Sequence, residues 1–236
     1  MTGTHEAHRW PEIIAVGERF HAALRGIPRP SFLDRRSSPW AISDRVAWGE
    51  LPASEFPHVR HLPELVSALR PVTAPSQLIH GDLTGNVPFD SAQPPAIIDF
   101  SPYWRPTAYA SAIVVADALI WEGADYHVLG AVAHISDFGQ CLARALIFRA
   151  VTDWIGSQEE PANSAVEDRD PWARAVNIAC QLAALPDPWN VSHIGRGQDV
   201  AHQMETRHQT TPGQAGHTCC HATTGLLSSI LTQGRS

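Results

Sequence analysis

Apolar positions recur along this chain with the spacing of helices, broken by proline-rich stretches and one short polar turn. Residues 11–25, PEIIAVGERFHAALR, carry apolar side chains at 13, 16, 20 and 24, and Pro11 suits a first helical turn. Residues 26–77 read as irregular, studded with prolines, with a short helix around Leu62–Leu69. The apolar pair Leu78–Ile79 runs into the turn HGDLTGN, residues 80–86. Val87–Phe89 and Ala96–Ile98 read as two short strands joined by DSAQPP, although Pro88 cannot donate to a ladder. Residues 107–121, TAYASAIVVADALIW, are apolar enough for a buried helix. Residues 126–155 show one long helical pattern, with Leu142, Leu146, Ile147, Ala150, Val151 and Trp154 on one side. Asp170–Pro171 is an N-cap and first-turn pair for a last helix over 171–185.

The predicted fold class is therefore α+β and mainly α, with a small β-ribbon inside a helical body. After Pro186 the periodicity collapses. Residues 188–236 are rich in Gly, Thr, Gln, His and Ser, and their composition predicts a disordered tail behind a folded unit over 1–187. The HTCCH run at 217–221 invites a zinc reading, but adjacent cysteines make poor tetrahedral partners and no CxxC pair accompanies them.

Composition narrows the function classes. The chain has 236 residues with a formal net charge of −7, which argues against nucleic-acid binding through the phosphate backbone. No apolar run is long enough to cross a membrane, and residues 1–10 lack the charged-then-apolar pattern of a signal peptide. Cys141, Cys180, Cys219 and Cys220 show no disulfide-framework spacing, so the expected setting is a reduced cytoplasm. All 17 basic residues are arginine, so lysine chemistry is excluded.

The chemistry concentrates at two strand ends. Asp82 and Asp99 can bring two carboxylates to one cleft, and Asn86 can return its amide oxygen to the same place. An Asn and an Asp converging as oxygen ligands suit Mg²⁺, which takes few protein ligands and keeps phosphate oxygens and water. Asp82 is then left to accept a proton from a hydroxyl nucleophile. Position, metal and base are the parts a phosphoryl-transfer site needs. Two plainer roles stand beside these: Asp82 and Asp99 as turn-capping acids, and His80 as a structural hydrogen-bonding residue. Asp117, alone in the apolar run IVVADAL, is expected to be buried and paired, either bracing the loop or meeting Arg144 or Arg149. Trp104 and Arg105 either line a substrate mouth or pack on each other at the surface.

His80-Gly81-Asp82-Leu83-Thr84-Gly85-Asn86, followed by Ile97-Ile98-Asp99-Phe100, resembles the catalytic loop and metal-binding segment of the aminoglycoside phosphotransferase family, similar in fold to choline and protein kinases. The continuation Ser101-Pro102-Tyr103-Trp104-Arg105-Pro106 is similar to an actinobacterial branch of that family, and the resemblance spans roughly residues 8–185. By it, Asp82 matches the catalytic base, Asn86 and Asp99 the Mg²⁺ ligands, and His80 the residue that braces the loop. The resemblance implies an ATP-dependent phosphotransferase acting on a small hydroxylated substrate. It also implies the C-terminal lobe of a kinase-like fold without its N-terminal β lobe, and so a weak or inactive chain whose bare interlobe face favours self-association. This sequence departs from the family in placing Asn86 four rather than five residues after Asp82, and in carrying Pro88. The alternatives are a non-catalytic remnant or binding module, and a metal-dependent hydrolase built on His80, Asp82 and Asp99.

Overall fold

The computed structural model of the protein describes residues 6–158 and 170–185. Two buried helices form its centre. Helix α4 (Thr107–Trp121) is apolar on every side and buries each residue from Ala108 to Ile120. Helix α5 (Phe138–Ser157) is buried from Phe138 to Val151 and packs along α4. Around this pair lie α1 (Trp10–Ala23) against α4, α2 (Pro39–Ala47) and α3 (Leu62–Ser67) against α5, and α6 (Pro171–Ala184) against both. Tyr109, Phe138, Phe148, Ile113, Leu119, Leu142 and Leu146 are among the fully buried side chains that fill the space between them. Each such side chain contributes about 1.5–3 kcal/mol relative to exposure.

The β structure is one antiparallel pair, β1 (Gln77–His80) with β2 (Pro102–Arg105), in the register Leu78↔Trp104 and Ile79↔Tyr103. Residues 81–101 are thus a single excursion between two paired strand ends. The molecule is mainly helical with a two-stranded sheet, as the apolar pattern predicts. Among the described residues, no strand precedes Gln77, and no helix is long and apolar enough to cross a membrane.

Several expectations need correcting. Val87–Phe89 and Ala96–Ile98 do not form strands. They do run antiparallel, with Ala96 N–H donating to Pro88 O at 3.3 Å and Ile98 N–H donating to Asn86 O at 3.1 Å. The reciprocal bonds are missing for two local reasons: Pro88 has no N–H, and the Asn86 N–H is spent on Leu83 O at 3.0 Å. The sequence reads 26–77 as irregular apart from one short helix, yet α2 lies there, started by Pro39 and by Ser38, whose Oγ accepts from Ala41 N–H at 3.4 Å. The helical pattern over 126–155 is two elements, a 3₁₀ segment at Tyr126–Val132 and then α5. They part at Asp137, which takes a left-handed φ of 56° and accepts through Oδ2 from Thr73 N–H and Oγ1–H. The Asp170 cap is present, its carboxylate accepting from Trp172 N–H at 3.1 Å. Cys141 and Cys180 are both buried. Cys219, Cys220, the HTCCH run and the whole of the expected tail, 188–236, lie outside the described residues.

Candidate functional site

The HGDLTGN turn owes its shape to residues that do no chemistry. His80 ends β1. Gly81 follows because the ring of Tyr103 from β2 lies against it, and a Cβ there would meet that ring at 2.3 Å. Leu83 is 1% exposed and seats against Gly17 of α1, where a Cβ would come within 2.5 Å of its methyl group. Gly85 turns the chain with a φ of +79°, a conformation that costs glycine nothing. Leu83 thus anchors the loop while Asp82 and Asn86, both partly exposed, stay at its surface.

Two histidines hold the loop from beneath. His21 Nε2 accepts the backbone N–H of His80 at 3.0 Å, and His80 Nδ1 accepts the backbone N–H of Asp82 at 3.1 Å. The other ring nitrogen of His80 meets Ile98 O at 3.2 Å, so His80 is the neutral tautomer with its proton on Nε2. Because Ile98 N–H reaches Asn86 O, the same histidine ties the loop to the segment bearing Asp99. Burial, helped by neighbouring His80, pushes His21 down to about 4. Burial also lowers His80, against the opposing pull of the Ile98 carbonyl and of the Asp82 and Asp99 charges. Both rings are therefore neutral acceptors for backbone donors.

Asp82 is held from the side by a buried arginine. Arg149 of α5 donates from Nη2 to Asp82 Oδ1 at 2.9 Å. It also grips Asp117 of α4 with two bonds, Nε to Oδ1 at 2.7 Å and Nη2 to Oδ2 at 2.6 Å. Asp117 is 1% exposed, and burial raises its carboxyl above the ordinary range against the pull of Arg149. Burial works against the Arg149 charge, but Asp117 and Asp82 outweigh it. Of the two partners weighed for Asp117, the structure selects Arg149. Arg144 instead bonds Gln140 and the carbonyl of Arg70. Asp117 braces the loop after all, through an arginine.

Asn86 Nδ2 donates to Asp82 O at 2.8 Å and has a long contact of 3.5 Å with Asp82 Oδ2. That fixes the amide and leaves its oxygen as an acceptor. Asp99 is exposed, one residue beyond the Ile98–Asn86 bond, with a left-handed φ of 48° that aspartate tolerates better than most residues. His80, Asp82, Asn86 and Asp99 thus belong to one connected loop system. Among the described residues, no group of three or more His, Cys, Asp or Glu side chains is poised to hold a metal. An Asn–Asp pair is a smaller donor set, of the kind Mg²⁺ uses when water and phosphate complete its shell.

The supporting pair His21 and Arg149 goes unread in the sequence as loop-holding. His21 sits on the buried face of α1 with Ile14 and Gly17, and that position was its only signal. Compared with known proteins, the chain matches no family model and no curated sequence.

Proposed function

We propose that the chain carries the catalytic loop of an Mg²⁺- and ATP-dependent phosphotransferase that acts on a small hydroxylated molecule, in the manner of the C-terminal lobe of a kinase-like fold. The observation that carries the reading is the way Asp82 is held. Its backbone is fixed by His80 and its Oδ1 by Arg149, while among the described residues Oδ2 has only the long contact with Asn86. Oδ2 is then the oxygen that takes a proton from the substrate hydroxyl. The hydroxyl oxygen bonds to the terminal phosphorus of the nucleotide, the bond to the bridging oxygen breaks, and ADP leaves. When bound, Mg²⁺ neutralises the phosphate charge. Asn86 Oδ1 and the Asp99 carboxylate are the groups of this chain that would hold it, and both are oxygen donors fit for it.

One observation favours a second reading, a non-catalytic binding module: the sequence has no lysine to meet the nucleotide phosphates. Loss of one preorganised donor commonly costs about 10²–10³ in rate. Titration of the full chain with Mg²⁺ and ATP separates the two. Phosphotransferase character predicts heat of binding in calorimetry at millimolar nucleotide, abolished by EDTA. No binding under those conditions leaves the module reading.

A further inference from the structure

A cavity with a volume of about 520 Å³ lies between α2, the 3₁₀ segment Ser31–Arg35 and β2. Trp104 and Arg105 line it, so the pair that the sequence left between a substrate mouth and a surface contact does border a cavity. Its size falls in the range of small-molecule sites, about 300–1,000 Å³.

The charges around it do not cancel. Four guanidinium groups, from Arg29, Arg36, Arg45 and Arg105, face three carboxylates, from Asp34, Asp44 and Glu50. Arg29 pairs with Asp34 at 2.6 Å. Arg105 takes both other acids, Asp44 at 2.7 Å and Glu50 at 2.6 Å. Neither Arg36 nor Arg45 forms an ion pair among the described residues, although the charge of Arg36 acts on Asp44 from a distance. Both are instead fixed by backbone oxygens. Arg36 Nη1 donates to Pro102 O with its guanidinium 4.7 Å from the centre of the Tyr103 ring. Arg45 Nη2 donates to Arg36 O at 2.7 Å, and its Nε to Ala41 O at 3.2 Å. Two positive groups are thus held in place with donors to spare, each partly exposed beside the half-exposed Trp104.

The geometry points to a binding site for a small organic anion, its carboxylate or phosphate taken by Arg36 and Arg45 and its body laid along Trp104. Guanidinium groups bind such oxyanions with paired, charge-assisted hydrogen bonds. The inference stands apart from the phosphotransferase reading, because no step passes through Asp82, Asn86 or Asp99. Tyr103, whose ring also packs on Gly81, is the wall shared by the cavity and the loop.

The test uses the full chain in EDTA, with phenyl phosphate and benzoate as probes followed by calorimetry and tryptophan fluorescence. At least one should bind below about 10 mM, and the tighter of the two identifies the anionic group preferred. Arg45→Gln should weaken that binding about ten-fold or more. Arg45 also holds the Arg36 carbonyl, so a second variant that leaves the hydrogen-bond frame alone is needed. Ser76→Glu, at an exposed rim position, adds a negative charge and should weaken binding to a similar extent. Failure of both probes to bind overturns the assignment. So does binding that survives Ser76→Glu in a chain whose circular dichroism is unchanged, since the anion then sits elsewhere.

Discussion

Two arginines in this molecule are built into nearly the same constellation. Arg149 grips the buried helix aspartate Asp117 with two bonds and reaches Asp82 on a loop with a third. Arg105 grips the buried helix aspartate Asp44 with two bonds, at 3.2 and 2.7 Å, and reaches Glu50 on a loop with a third. Each guanidinium also lies near a tryptophan ring, Arg149 at 5.6 Å from Trp121 and Arg105 at 5.1 Å from Trp48. The difference is where the third bond goes. Glu50 is an exposed acid at the cavity rim, whereas Asp82 is fixed from behind by His80 and flanked by Asn86. A buried ion pair of this type is a local anchor. It becomes part of a candidate site only where its outer carboxylate is oriented by further groups.

The comparison breaks most sharply when one buried partner is removed. Arg149→Met strands Asp117 at the interface of α4 and α5 and should cost about 3–5 kcal/mol in urea unfolding, the range for an uncompensated buried charge. Asp117→Asn should fall near the lower end, because Arg149 keeps Asp82. The double variant Arg149→Met with Asp117→Asn should recover part of the loss, as it removes the stranded charge. Arg105→Met should cost less than Arg149→Met. Asp44 is 7% exposed against 1% for Asp117, so water reaches it more easily. Equal losses at the two arginines would mean that depth of burial does not set the difference.

The next effect belongs to the histidine support, which the Arg105 constellation lacks. His21 titrates near 6.5 when unfolded and at about 4 when folded. Between those values the unfolded chain binds more protons, so stability is full above pH 6.5 and falls as pH drops toward 4. The change approaches about 3 kcal/mol across the window, from 1.36 kcal/mol per pKa unit. His80 is lowered too and adds to the same slope. Replacing His21 with Phe should flatten this part of the acid limb. It should also cost about 1–3 kcal/mol at neutral pH, because the His80 N–H loses its acceptor. An unchanged slope in the His21→Phe chain would exclude His21 as its source.

What the sequence disclosed follows from the same contrast. Helix α4 was legible because burial on every side leaves a largely apolar run, and Asp117 stood out inside it. Helix α2 was hidden, since it is short, set among prolines and inverted in polarity, burying Ser43 and Asp44 while exposing Trp40, and Asp44 was unremarkable there. The loop motif was readable because Gly81, Asp82, Gly85 and Asn86 sit close together in sequence. Its support was not, because His21 lies 59 residues from His80 and Arg149 lies 67 from Asp82. Long-range pairing leaves no local pattern. The missing ladder at 87–98 was half legible: Pro88 warned of it, but the diversion of the Asn86 N–H to Leu83 depends on the turn having formed.

The smallest expected effect on stability is the most informative about function. Asp82 and Glu50 side chains are 41% and 48% exposed, and exposed ion pairs contribute about 0–1 kcal/mol. Asp82→Asn and Glu50→Gln should therefore each shift the unfolding free energy by less than about 1 kcal/mol, while Arg149 and Arg105 keep their buried partners. If Asp82 is the base, Asp82→Asn lowers any Mg²⁺- and ATP-dependent turnover by about 10²–10⁴-fold, and Glu50→Gln leaves it unchanged. Two substitutions alike in chemistry, exposure and thermodynamic cost then differ only in the reaction. Should turnover survive Asp82→Asn, the two arginines would be equivalent fold anchors, and the orientation of Asp82 by His80 would serve packing alone.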